Sequence, residues 1–149
     1  MDEAKHSPEI QWTITMDIAF TQIKEAFERG PVRAFPYFNP GSRSLVVTPE
    51  LFGNSIGAVL EQRQRGVVRL IGAIGRKMTE DELTYSPMDR VIASLLFACR
   101  QWEDTLRHNH FLVNHDVRTW RLVTDQPTEL GLKWLKELSA FRFRFNWDY

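Results

Sequence analysis

Tyr85-Ser86-Pro87-Met88-Asp89-Arg90-Val91-Ile92-Ala93-Ser94-Leu95-Leu96-Phe97-Ala98-Cys99-Arg100-Gln101-Trp102 is the stretch around which the chain is organised. Met88, Val91, Ile92, Leu95, Leu96, Cys99 and Trp102 recur at helical spacing and form one apolar stripe. Ser86 is placed to cap the first turn. Pro87 fits the first helical position, where a missing N–H costs nothing. Asp89 favours the positive end of the helix dipole. The pattern predicts the main core helix, with Cys99 as a small core residue rather than a nucleophile.

Around this helix the chain reads as one domain. Its 149 residues are 43% hydrophobic and 26% charged, an ordinary globular composition. Formal net charge is zero, so attraction to nucleic acid would need a local basic patch. The single cysteine allows no internal disulfide, which fits a reducing, intracellular compartment or a segment that needs no staple. No apolar run is long enough to span a bilayer.

Upstream, Thr13 or Thr15 caps an expected first helix with Phe20, Ile23 and Phe27 on its apolar face, and Gly30-Pro31 stops it. Val32 to Phe38 reads as an extended connector and Asn39-Pro40-Gly41-Ser42 as a turn. Ser44 to Thr48, Ser55 to Gln62 and Val67 to Ile74 predict an antiparallel three-strand meander, with Gln64-Arg65-Gly66 as a turn. Gly75 to Leu83 is a polar stretch. Downstream, His110 to Asn114 holds a short strand, Arg118 to Leu122 is ambiguous, and Pro127 to Leu138 is helical. Phe141, Phe143 and Phe145 alternate with Arg142, Arg144 and Asn146 as a last strand. The result is an α/β domain with a mixed five-stranded sheet.

That order, and several motifs, resemble the end of a Ty3/gypsy-type reverse transcriptase running into its ribonuclease H domain. Trp12-Thr13, Ala19-Phe20, Ile23-Lys24 and Pro31-Val32 with Pro36 resemble the tract before the nuclease. Ile56-Gly57-Ala58-Val59-Leu60-Glu61-Gln62 resembles the I-G-A-V-L-x-Q strand. Arg76-Lys77-Met78 with Glu82 and Tyr85-Ser86, then Trp102, Phe111-Leu112-Val113, Trp134-Leu135 and Phe141, resemble later family positions. The resemblance implies a ribonuclease H-like fold in residues 41–149, ending before the family's last helix. Residues 1–40 are then the helix and linker of a reverse-transcriptase connection.

The family's chemistry is hydrolysis of a phosphodiester by two divalent ions held on four carboxylates. Magnesium needs hard oxygen ligands in near-octahedral geometry. By the resemblance, the first acid falls on Glu50, six residues before Ile56, without the family's T-D-A-S context. The second falls on Val91, while Asp89 fills the earlier, non-catalytic position. The third falls on Asp116 in His115-Asp116-Val117. The fourth lies beyond the last strand. A valine cannot ligate a metal, and Asp89 is turned roughly 200° away from residue 91 on a helix. The scaffold is kept while the metal cage is dismantled.

Plainer readings compete at each position. Val91 on an apolar stripe is core packing. Glu50 is a solvated acid near a strand end, and Asp116 caps the next segment. His108, His110 and His115 fit no standard zinc spacing. Arg63, Arg65 and Arg69, Arg118 and Arg121, and Arg142 and Arg144, with Trp120 among them, make a nucleic-acid surface conceivable, yet interleaved acids favour a solvated face.

The reading is a catalytically inactive ribonuclease H-like domain of a domesticated, retrotransposon-derived protein. It would act as a structural or protein-interaction module. Its partners would be neighbouring domains of a larger polyprotein or another protein, and no cofactor is expected. The alternatives are an active ribonuclease H using Mg2+ or Mn2+ to cut RNA in RNA–DNA hybrids, and a nucleic-acid binder that does not cleave.

Overall fold

The computed structural model describes residues 34–146. The expected first helix, its Gly30-Pro31 stop and the motifs from Trp12 to Val32 lie outside the described residues. The strands are β1 (Leu45–Phe52), β2 (Ser55–Gln64), β3 (Val67–Lys77), β4 (Phe111–Val113) and β5 (Phe143–Phe145). The helices are α1 (Glu80–Leu83), α2 (Pro87–Gln101), α3 (Glu103–Arg107), α4 (Val117–Asp125) and α5 (Glu129–Leu138). The strands lie in the order β3-β2-β1-β4-β5. The first three form the expected antiparallel meander, while β4 pairs parallel to β1 and β5 parallel to β4. This is the mixed sheet of a ribonuclease H-like fold.

Local chemistry sets the meander. Gln64 pairs with Val67, leaving a two-residue loop. Arg65 has φ +53° and Gly66 φ +80°, the doubly left-handed turn whose twist suits a hairpin. Gly66 takes this conformation without a Cβ penalty, which is why the Gln64-Arg65-Gly66 signal reads as a turn. Ser42 N–H donates to the Asn39 carbonyl at 2.9 Å, closing the other expected turn.

The central helix forms as its sequence dictates. The Ser86 hydroxyl accepts from the Asp89 amide at 3.1 Å, and Pro87 occupies the first turn. Val91, Ile92, Leu95, Leu96, Ala98 and Cys99 are buried in one cluster with Leu45 and Val47 of β1 and Ala58 and Leu60 of β2. Cys99 is fully buried, and burial pushes its thiol up to about 12. It packs as a core residue.

Four segments differ from the sequence reading. β1 continues past Thr48 through Pro49 and Glu50 to Phe52. Proline is tolerated there because the β4 partner stops at Val47↔Val113, leaving that side of β1 unpaired. The polar stretch from Gly75 is not merely a loop. β3 runs on to Lys77, and Thr79 and Glu82 form a reciprocal capping box around the single turn of α1. The ambiguous segment from Arg118 to Leu122 is helical, in α4. Asp116 caps that helix, and Trp120 packs its ring on Phe143 and Phe145 at 6.1 and 5.4 Å between centroids. The last strand starts at Phe143, with Phe141 buried just before it.

Candidate functional site

Strand register brings the first and third family positions to one end of the sheet. Val47 of β1 pairs with Val113 of β4, and the Asn114 amide donates to the Val47 carbonyl at 2.9 Å. Glu50 and Asp116 each lie three residues beyond that pair. Both therefore sit past the C-terminal ends of neighbouring parallel pairings.

Glu50 belongs to a strand rather than a solvated loop. Pro49 is buried and Leu51 packs on the core, so alternation turns Glu50 to the opposite face, beside Thr48. Burial raises its carboxyl above the ordinary carboxylate value, and among the described residues no donor or cation meets it. On the same face, Glu61 of β2 is raised in the same way by burial.

Asp116 caps its own helix. One carboxylate oxygen accepts the Arg118 amide at 2.9 Å and the other accepts the Thr119 hydroxyl at 3.0 Å. These donors, the Arg118 amide first, hold its carboxyl below the usual range. The side chain is exposed.

A neutral polar ladder that the sequence reading missed joins β1 to the residues that follow β4 and β5. Asn146 Nδ2 donates to Asn114 Oδ1 at 3.0 Å, and Asn114 Nδ2 donates to Thr48 Oγ1 at 3.3 Å. It ties the middle of β1 to the residues just past β4 and β5. No spacing rule flags it, because its members stand far apart in the chain and each ends an apolar run.

The helix position is apolar. Val91 is 7% exposed and lies in the core cluster of α2, β1 and β2. Asp89, also 7% exposed, is engaged elsewhere: its Oδ1 accepts the Thr128 hydroxyl at 2.8 Å. Thr128 caps α5 by accepting the Gly131 amide at 2.9 Å. Gly131 leaves room for this link, since a Cβ there would lie 3.1 Å from Asp89 Oδ1.

The remaining candidates separate. His108 ends α3 and His110 is exposed beyond it, while the His115 ring faces the Asp116 carbonyl at 3.2 Å. Among the described residues no three His, Cys, Asp or Glu side chains gather as a metal-binding group. Arg63, Arg65, Arg69, Arg118, Arg121, Arg142 and Arg144 are exposed, but Trp120 is buried against β5. Its ring is not on the surface for a base to stack on.

The mixed sheet and its helices define an RNase H-like α/β class, and comparison with known proteins agrees. The family model described as the RNase H-like domain found in reverse transcriptase matches residues 41–141. The chain belongs to that family. It is 24% identical over 131 residues to the retrovirus-related Pol polyprotein from transposon 297 of Drosophila melanogaster, covering 87% of this chain and 12% of that protein. It is 25% identical over 145 residues to the transposon Tf2-3 polyprotein of Schizosaccharomyces pombe, covering 92% of this chain and 11% of that one. The chain thus spans a small fraction of the polyproteins it matches. The fold is similar to that of the native prototype foamy virus protease-reverse transcriptase, with TM-score 0.61 and 13% identity over 91% of this chain and 19% of that one. The foamy viral protease-reverse transcriptase in complex with dsDNA gives TM-score 0.57 and 16% identity over 93% and 29% of the two chains.

Proposed function

We propose that this chain is a catalytically inactive RNase H-like domain of a domesticated, Ty3/gypsy-type retroelement protein. It serves as a structural or protein-interaction module beside other domains of a longer polypeptide. The observation that carries the reading is the burial of Val91 in the apolar core, at the position where the family resemblance calls for a metal-ligating glutamate.

Three further observations support it. Asp89, the nearest acid on the same helix, is buried and bonded to Thr128. Asp116 is engaged as the cap of α4, accepting the Arg118 amide on one oxygen and the Thr119 hydroxyl on the other. Among the described residues Glu50 meets no cation, and its charged form is disfavoured by burial. Two divalent ions bring four positive charges, and an apolar Val91 in place of the helix acid does not match the hard, oxygen-rich cage that magnesium needs. The residues present do not fit the two-ion group, so no hydrolytic step is assigned to them.

The test is incubation of an RNA–DNA hybrid with the unmodified protein in magnesium or manganese. It is run beside a Val91→Glu, Glu50→Asp double variant, which returns both acids to the family's positions. No cleavage by the unmodified chain is expected. Metal-dependent cleavage that is lost in Glu50→Gln or Asp116→Asn would overturn the proposal and restore the active-nuclease alternative. Retention of hybrid on a filter with a clear salt slope, and no cleavage, would favour the nucleic-acid binder instead.

A further inference from the structure

Gln62 is 1% exposed, and an amide side chain so deeply buried needs partners for two donors and two acceptor lone pairs. It has all four. Its Oε1 accepts the Tyr37 amide at 2.8 Å and Gln64 Nε2 at 3.0 Å. Its Nε2 donates to the Tyr37 and Arg43 carbonyls, each at 2.8 Å. Three of these partners are backbone groups of the segment that leads into β1. Two more links join that segment to the meander: Gln64 Nε2 donates to the Phe35 carbonyl at 2.7 Å, and the Ala34 amide donates to the Leu70 carbonyl at 3.0 Å.

Apolar packing does not hold this segment. Phe35 is 87% exposed, Tyr37 51% and Phe38 54%. Its aromatic rings face away while its backbone is gripped by polar side chains of β2. A free linker has its backbone hydrated and makes no such contacts.

We infer that Gln62 is a positioning residue that turns residues 34–43 into a fixed strap of the domain. The folding unit then begins upstream of residue 41, where the family match starts. The preceding polypeptide enters the fold at a set place, and the strap presents Phe35, Tyr37 and Phe38 outward in a fixed arrangement. This inference is independent of whether the domain cleaves nucleic acid.

The test is residue-resolved amide exchange on the full 149-residue chain. The Tyr37 amide should be protected in the unmodified protein. In Gln62→Leu it should exchange about tenfold faster or more, the loss of one net hydrogen bond, while the amides of the β1–β2 ladder keep their protection. Gln64→Ala removes one donor from Gln62 Oε1 and frees the Phe35 carbonyl, but it leaves the Tyr37 amide on Gln62 Oε1, so Tyr37 should stay protected. A Tyr37 amide that is unprotected in the unmodified chain, or equally protected in Gln62→Leu, would overturn the inference. Should Gln62→Leu fail to fold, chymotrypsin on the unmodified protein decides. Resistance at Phe35, Tyr37 and Phe38 supports the strap, and cutting there ahead of the core removes it.

Discussion

Asp89 in the first turn of α2 and Thr128 at the head of α5 are joined by a hydrogen bond of 2.8 Å between residues 39 apart in sequence. The link lets one hydroxyl serve two purposes, because Thr128 also accepts the Gly131 amide that opens α5. It fixes α5 against α2 and directs the acid of α2 toward the helix layer. Thr128→Ala should cost about 1–2 kcal/mol through the lost cap and the stranded Asp89 carboxylate. Thr128→Ser should cost little. In a double-mutant cycle with Asp89→Ala, which removes the acceptor, measured by urea unfolding, a coupling of at least about 0.5 kcal/mol is expected; strictly additive effects would mean the contact carries no energy.

Val91 gives the sharpest stability contrast. Replacing it with glutamate places a carboxylate in the apolar cluster that α2 forms with β1 and β2. A loss of about 3 kcal/mol is expected by chemical denaturation. Magnesium should not restore that loss. Recovery on adding magnesium would mean that the position still faces a metal-competent site.

The acids respond to pH in opposite senses. Burial raises Glu50 above its unfolded value, so the fold disfavours the charged form and is relatively weaker once pH exceeds the folded value. Glu50→Gln should therefore stabilise at neutral pH, by roughly half a kcal/mol at most after solvent screening, and the gain should vanish at acid pH. Glu82 behaves conversely. Its bond to Arg76, first among the causes, lowers it from 4.5 to about 2. Its contribution is complete above 4.5 and is lost as pH falls toward 2. The stability difference between the unmodified protein and Glu82→Gln should shrink across that window.

Cys99 should be silent to thiol reagents in the native state. The thiol is fully buried and titrates near 12, so little thiolate exists at neutral pH and none of it is accessible. Labelling should proceed only as fast as the protein unfolds. Rapid modification of the folded chain would contradict this packing.

Much of the architecture was legible because local and tertiary preferences agree. Ser86-Pro87 opens α2 in sequence and in space, and Arg65-Gly66 states its own turn. The alternation of Phe143 and Phe145 with exposed arginines survives as β5. Reading failed where a distant contact decided the matter. Pro49 argues against a strand, and only the early end of β4 makes room for it. Thr119, Trp120 and Leu122 suit a strand or a helix equally, and Trp120 is settled by the rings of Phe143 and Phe145. The Thr79 and Glu82 capping box was present in the sequence as T-x-x-E, a signal that could have found α1. At the candidate site, the positions of Glu50, Val91 and Asp116 came from the family resemblance. The Asp89 to Thr128 link and the Asn146, Asn114, Thr48 ladder join residues too far apart for any spacing rule.

Manganese binding to the 149-residue chain, followed by the loss of the free-ion paramagnetic resonance signal, tests the missing cage most directly. The expected titration matches that of a Glu50→Gln, Asp116→Asn variant, with no tight sites in either. Two ions held tightly by the unmodified protein and released by that variant would contradict it.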